Sequence, residues 1–228
     1  MDYQLGADAA IVLQYGTTDQ SVVSGLNSLG LPEMMRTKIK VEEFRKDFSI
    51  SFTGGGEYGA LTFGGNMVFG DTLGQDKLKS YFKANTKFTT ARVYMDLENF
   101  LAPDLANDSA SGFQVASYKP GKVDRNKVIP FDGELVLNGD VAYFTSHIAN
   151  SAGITFSTAD NSINDSASGF LTAGFKAGQT IIIEGSTSTN NGQCIADSVV
   201  AGKIIVTAAS KTIVTETGAK ISLHGGQI

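Results

Sequence analysis

The side chains best suited to catalysis are two histidines and one cysteine, namely His147, His224 and Cys194. Ser–His or Cys–His catalysis needs a nucleophile, a base and usually an orienting group, and the spacing of these residues does not bring such a set together. His147 falls in an alternating segment, which indicates a histidine on a strand face, while His224 is predicted to be solvated. Cys194 is predicted to be a small buried apolar side chain. The sequence therefore gives no catalytic residue.

Metal and nucleotide sites lack their usual motifs. A zinc site built from histidine and cysteine would need several ligands at short spacings. Residues 54–59, Gly-Gly-Gly-Glu-Tyr-Gly, match GxGxxG, but a strand-like alternation follows them where a dinucleotide fold needs a helix. We therefore predict a hairpin turn there, no metal, no cofactor and no enzymatic activity. The many carboxylates leave a glycosidase-like pair open as an alternative.

The chain is mildly acidic, with 18 Lys and Arg against 23 Asp and Glu and a formal net charge of −5. Tight nucleic-acid binding depends on neutralising phosphates with Lys and Arg, so this function is disfavoured. No apolar stretch approaches the ~20 residues that a membrane-spanning helix needs. The first residues lack the basic segment of a signal peptide, and the lone cysteine has no internal disulfide partner. We therefore expect folding in a reducing compartment.

The elements that would position these side chains are strands with one clear helix. Phenylalanine and isoleucine alternate with serine over 38–53, which predicts a strand that the glycines after it turn back into a second strand over 60–70. The period changes at 72–84, where Leu78 and two aromatic residues are spaced as on one face of a helix. Asp71 or Thr72 can cap its start.

Shorter strands and connections complete this part of the chain. Asn138 and Gly139 form a typical two-residue hairpin turn. Segments 16–35 and 98–112 are predicted connections. One helix among many strands predicts a mainly β fold, a small sandwich or barrel with the helix covering one side. The remaining strands are predicted at 11–15, 87–97, 113–121, 128–139 and 141–148.

The composition changes near residue 153, since only 9 of the 41 charged residues lie beyond it. We therefore predict one domain over 1–150 and a small all-β domain over 154–228. Its strands are predicted at 154–158, 179–184, 193–200, 202–207, 212–216 and 219–224. Its core is predicted to contain Phe156, Phe170, Phe175, Ile181, Ile183, Ile195, Val199, Ile205, Val214 and Ile221.

The heptapeptide Asn-Asp-Ser-Ala-Ser-Gly-Phe occurs twice, at 107–113 and at 164–170. The flanking residues differ, so no larger structural repeat is predicted. We expect two similar loops that each place the final phenylalanine, Phe113 or Phe170, in the core.

Two segments resemble a known family. Residues 63–104, FGGNMVFGDTLGQDKLKSYFKANTKFTTARVYMDLENFLAPD, resemble the central part of tail tube proteins of long-tailed (siphovirus-type) bacteriophages. Residues 113–145 resemble the closing strands of that family, and the resemblance spans about residues 1–148. Residues 169–207 resemble a small β module often appended to phage structural proteins.

The resemblance implies a tail-tube-like β-sandwich or barrel whose copies form stacked rings, usually of six. The bore of such a tube holds the tape measure protein and later passes phage DNA, and its ends meet tail terminator and tail tip proteins. The resemblance also implies a virion protein, assembled in the host cytoplasm, with residues 154–228 as an outer decoration domain. An acidic chain could line the bore without capturing phosphate.

A ring of identical subunits needs two different patches that meet head to tail, and strand edges are suited to this. The hairpin 38–70 is predicted to make contacts within a ring, and 16–35 and 98–112 contacts between rings. The candidate subunit contacts are Phe48, Ile50, Phe52, Tyr58, Leu61, Phe63, Phe100, Leu101 and Leu105. The last three of these residues could equally fold back on their own domain.

Other functions remain open. The chain could be a tube of a contractile tail or of a type VI-like injection system, although a surrounding sheath would collide with an outer domain. It could be a virion or cell-surface module that holds glycan through 154–228, with polar contacts from 185–192. The absence of Trp counts against this, because sugars are often held on aromatic faces. A hydrolase with a carboxylate pair is the third alternative.

Overall fold

The computed structural model describes residues 9–32, 34–41, 50–125 and 127–227. They form antiparallel strands and the helix α1 (Gln75–Ala84), so the mainly β prediction is confirmed. The strands are β1 (Ala10–Leu13), β2 (Ser21–Val22), β3 (Leu26–Gly30), β4 (Met34–Val41), β5 (Ile50–Tyr58), β6 (Leu61–Asn66), β7 (Lys87–Phe88), β8 (Arg92–Tyr94), β9 (Phe100–Pro103), β10 (Gly112–Pro120), β11 (Pro130–Asn138), β12 (Val141–Ser151), β13 (Ile154–Ser157), β14 (Ser162–Asp165), β15 (Thr180–Glu184), β16 (Gly192–Val200), β17 (Lys203–Val206) and β18 (Ile221–Gln227).

Contacts divide the chain into two compact units. The first consists of the described parts of Met1–Val23, Phe88–Phe113 and Asn138–Ile228, and the second of those of Ser24–Lys87 and Gln114–Leu137. Each unit is therefore built from segments that are distant in the sequence.

The first unit contains an eleven-stranded sheet in the order β13-β14-β17-β16-β15-β18-β12-β9-β8-β1-β2. Strand β18 lies between β12 and β15 and pairs with both, so it joins strands from either side of residue 153. The division into domains 1–150 and 154–228 stays a prediction.

The large core of this unit lies among the strands after residue 153. Partners directly opposite each other in antiparallel strands share a face, so pairing decides which residues enter the core. Cys194 lies opposite Ile181, and Ile204 opposite Ile163, which places Ile195 and Ile205 on the half-buried face. The confirmed core residues are Phe156, Phe170, Phe175, Ile181, Ile183 and Ile221, with Val199 packed at the margin and Val214 exposed.

The second unit contains the five-stranded sheet β3-β6-β11-β10-β7, the two-stranded sheet β4-β5 and α1. One face of the five-stranded sheet is apolar, with the rings of Phe63 and Phe131 6.2 Å apart between their centroids. Leu61, Leu135 and the helix residue Leu78 are fully buried in this unit.

The predicted helix is confirmed, and Asp71 caps its start. The two carboxylate oxygens of Asp71 accept hydrogen bonds from the backbone N–H groups of Gly74 at 3.1 Å and Gln75 at 2.9 Å. Asn85 ends the helix with a left-handed backbone, and its N–H donates to the carbonyl of Phe82. Both ends of the helix are thus fixed by local hydrogen bonds, of which the cap at the start was predicted from the sequence.

The predicted pairing of 38–53 with 60–70 is wrong. Strand β4 pairs with β5, from Met34 opposite Tyr58 to Val41 opposite Ile50, while β6 pairs with β3 and β11. The glycine-rich segment predicted as a turn lies in β5, next to a register shift between Arg36 and Lys38. Glycine is tolerated in a strand at such an irregularity, so the run of glycines did not indicate a turn between two strands.

The two predicted connections are also partly strand. Segment 16–35 contains β2, β3 and the start of β4, and 98–112 contains β9, all four residues of which are buried. Gly139 has a turn conformation with φ of +79°, but β11 and β12 belong to different sheets. The predicted hairpin at Asn138 and Gly139 is therefore a turn between sheets.

Candidate functional site

A polar cluster that spans several strands of the first unit is built around Arg92 of β8. Its side chain is 4% exposed, and its guanidinium lies 3.5 Å from the ring centroid of Tyr15 and 4.3 Å from that of Phe100. Arg92 forms an ion pair with Glu184 of β15, and the hydroxyl of Tyr15 donates to the same carboxylate at 3.5 Å. The aromatic faces and the carboxylate together compensate for the burial of the cation.

Two histidines extend this cluster across the sheet. His147 of β12 lies directly opposite His224 of β18, and their Nδ1 atoms are 2.9 Å apart. The Nε2 of His224 lies 3.2 Å from a carboxylate oxygen of Glu184, and that of His147 lies 3.4 Å from Oδ1 of Asn99. Since Glu184 can only accept, His224 donates from Nε2, and one of the two Nδ1 atoms donates to the other.

The charges follow from these contacts. Burial lowers the pKa of His147, and the neighbouring His224 lowers it further, so the ring is neutral at pH 7. Burial alone would raise the pKa of Glu184, but the hydrogen bond from His224 and the charge of Arg92 hold it below its usual value. The cluster is therefore an ion pair extended by two hydrogen-bonded imidazoles, of which His147 is neutral.

This arrangement was only partly visible in the sequence. His147 lies on a strand face as predicted. The side chain of His224 is only 17% exposed, so the prediction that it is solvated is wrong. The alternation of apolar and polar residues around each histidine indicated a strand, but no feature of either segment indicated that β12 and β18 are neighbours. Cys194 is buried as predicted, and burial raises the pKa of its thiol to about 12, so it stays neutral.

A groove of about 830 Å³ lies beside the cluster in the first unit. Tyr15, Arg92 and Glu184 form part of its wall, and Gln193 lies opposite. The amide oxygen of Gln193 accepts from the backbone N–H of Leu105 at 2.6 Å, which fixes the loop that borders the groove.

The predicted subunit-contact residues are spread over both units. Phe48 lies outside the described residues, and Ile50 and Phe52 lie in β5. Tyr58 and Leu105 are half-buried, while the other four are buried within the chain. Their role in subunit contacts stays a prediction. The buried four are Leu61, Phe63, Phe100 and Leu101.

The polar loop 185–192, proposed above as a glycan contact, is organised by Glu216. Burial would raise the pKa of this carboxyl group, but hydrogen bonds from the loop lower it to about 2. Most of the hydroxyl groups there are thus already bonded within the chain. The carboxylate accepts from the side chains of Ser186, Thr187, Ser188 and Asn190 and from the backbone N–H of Thr187.

The described part of the chain contains no group of three or more metal-binding side chains, and none of its helices is long and apolar enough to cross a membrane. The carboxyl groups with a resolved shift, Asp96, Asp160, Glu184 and Glu216, all have lowered pKa values. A general acid of a carboxylate pair needs a raised pKa, so these four give the hydrolase alternative no support.

No protein-family profile matches the chain, and a comparison with curated proteins gives no match. Solved structures similar to it include a chain of the virion of a native gene transfer agent particle, with a TM-score of 0.43 and 12% identity over 60% of this chain and 96% of that one. A chain of the six-fold symmetrised anti-feeding prophage baseplate gives 0.42 and 10% over 60% and 93%. A chain of the sheath–tube complex of an extracellular contractile injection system in its extended state gives 0.39 and 11% over 63% and 93%. Likenesses of this size establish neither family nor function.

Proposed function

We propose that this chain is a structural subunit of a phage-type tail tube, which self-assembles into stacked rings and has no enzymatic activity. The observation that carries the proposal is the two-stranded sheet of β4 and β5. Among the described residues, these strands pair only with each other. A two-stranded sheet by itself is at best marginally stable in water, and its two outer edges suit the addition of a further strand. A neighbouring copy would satisfy those edges by strand addition.

The exposed face of the five-stranded sheet supports a role as the wall of a bore. Asp132 lies opposite Gly64, and Glu134 opposite Thr62, with Ser28 next to Gly64 on β3. Side chains on this face of β3, β6 and β11 are acidic, small or neutral, while the exposed Lys119 follows the inward-facing Tyr118 on the neighbouring β10. The part of the face formed by β3, β6 and β11 would repel the phosphates of DNA and let the polymer pass without binding.

The finer role follows from the resemblance of residues 63–104 and 113–145 to siphovirus tail tube proteins. We propose rings of six copies in a virion tail, assembled in the bacterial cytoplasm. The bore would hold the tape measure protein and then pass DNA, and the tube would end at terminator and tip proteins. Residues 154–228 would decorate the outside, which favours a non-contractile tail over a contractile one because a sheath would collide with them.

The hairpin provides the test of this proposal. Replacing residues 36–56 by a short Gly-Ser turn removes most of β4 and β5 and leaves the two larger sheets intact. We expect the shortened chain to stay folded by circular dichroism and to lose the rings that the full chain forms in electron microscopy. Charge reversal of Lys79, an exposed helix residue, gives a matched control that should assemble normally. Normal rings from the shortened chain would contradict the proposed role of the hairpin.

A further inference from the structure

A rigid turn between β8 and β9 presents one exposed leucine between two acids. The carboxylate of Asp96 accepts hydrogen bonds from the backbone N–H of Glu98 at 2.9 Å and of Asn99 at 2.7 Å, and from the side-chain amide of Asn99 at 2.8 Å. Leu97, at the tip, is 76% exposed, and Glu98 beside it is also exposed. The turn is therefore an acidic knob with an apolar tip, fixed before any partner binds.

A complementary socket lies in the second unit, between β10 and β11. A cavity of about 450 Å³ is lined by Val128, Pro130, Asp124 and the two lysines Lys122 and Lys127. The backbone holds its base in place, since the N–H of Gly121 donates to the carbonyl of Pro130 and that of Met67 to the carbonyl of Ile129, both at 2.8 Å. Val128 is 68% exposed at the cavity wall. The socket is thus apolar inside and basic at its rim.

The lysines of the socket are held only loosely. Lys122 and Lys127 lie 3.7 and 3.9 Å from the carboxylate of Asp124, and their side chains are 86% and 73% exposed. Ion pairs this exposed contribute little to stability, so both ammonium groups can turn toward an incoming acid.

We infer that the knob of one copy of this chain inserts into the socket of the next copy. Leu97 would cover Val128 and Pro130, and Glu98 would meet Lys122 and Lys127. Leu97, Val128 and Pro130 would leave water in the contact, and Glu98 would face two lysines against the single carboxylate of Asp124. The two patches differ, so the contact is head to tail and closes into a ring or extends into a filament. This inference rests on the proposed self-assembly and identifies one surface through which the copies would contact each other.

Thiol cross-linking tests the contact directly. Two full-length variants, Leu97→Cys with an added tag and Val128→Cys without one, are mixed, assembled and oxidised. The native Cys194 is buried and does not compete. We expect a covalent dimer of one tagged and one untagged chain from the mixture, and no dimer from either variant alone. Particles that assemble normally without this cross-link would overturn the inferred contact and leave the tube proposal standing.

Charge reversal gives a second readout. Glu98→Lys alone, and Lys122→Glu with Lys127→Glu alone, should each raise the concentration needed for assembly about tenfold, since attractions become repulsions. A mixture of the two variants should restore association, while Lys79→Glu should leave it unchanged. Equal assembly by all variants would overturn the contact. A chain that stays monomeric at every concentration, wild type included, would overturn both the contact and the tube proposal.

Discussion

His147 and His224 face each other across β12 and β18 with their Nδ1 atoms 2.9 Å apart, although 77 residues separate them in the chain. At this distance the Nδ1–H of one imidazole can donate to the Nδ1 of the other, but protonating both rings would place two positive charges side by side. The contact holds the C-terminal strand to β12, so protonation should weaken the link between these strands.

The first prediction concerns pH. The pKa of His147 is lowered from its ordinary value of 6.5, so the unfolded chain binds this proton more readily than the folded chain. The stabilisation is complete above about pH 6.5 and is lost as the pH falls below it towards the lower pKa of the folded state. We expect the free energy of unfolding in urea to decrease between pH 7 and pH 5. His147→Gln should flatten this decrease, and an unchanged slope in that variant would show that another group is responsible.

The second prediction concerns the buried ion pair. Glu184→Gln leaves the guanidinium of Arg92 buried without its counter-charge, which should cost about 3 kcal/mol of unfolding free energy. Asp160→Asn removes the exposed pair between Asp160 and Lys203, at 2.7 Å, and serves as the control. Surface pairs are weak, so this control should unfold almost as the wild type does. Equal losses in the two variants would contradict the stabilising role of Arg92 and Glu184.

The third prediction uses the repeated heptapeptide as an internal comparison. Asp108 accepts from the backbone N–H of Ala110 at 2.8 Å, and Asp165 accepts in the same way from Ala167 at 2.9 Å. Asp165 also accepts from the N–H of Gly169 at 2.7 Å. Asp165→Ala should therefore lower the melting temperature more than Asp108→Ala does, each lost bond costing about 1 kcal/mol. The reverse order would show that the turns do not depend on these carboxylates.

The fourth prediction concerns the loop around Glu216. Its pKa, lowered to about 2, means that the loop is stabilised above about pH 4.5 and loses this support as the pH falls towards 2. Glu216→Ala should speed amide hydrogen exchange at Ser186–Asn190 at pH 7, while Glu216→Gln, which keeps an acceptor, should speed it less. Unchanged exchange in the alanine variant would mean that the loop is ordered by other contacts.

Local patterns predicted the local structures well. The helix start at Asp71 and the repeated turns ending in Phe113 and Phe170 depend on hydrogen bonds within a few residues, and both phenylalanines are fully buried. Pairing between distant strands was less predictable. The sequence predicted both Cys194 and Ile195 as buried, yet the pairing of β16 with β15 places only Cys194 on the core face.

The candidate site shows the same limit more strongly. Arg92, Glu184, His147 and His224 lie on four different strands, and no short segment contains two of them. The sequence predicted a strand-face position for His147 and a solvated His224, and it indicated no role for Arg92 or Glu184. Only the order β15-β18-β12-β9-β8 brings them together, and that order depends on long-range pairing.

Electron microscopy of the purified full-length chain over a range of concentrations, with light scattering on the same samples, tests whether the chain assembles into a tube. We expect rings or tubes with a central channel, whose mass grows with concentration in the scattering signal. A chain that scatters as a monomer at every concentration, with no ring in any image, would contradict the tube assignment.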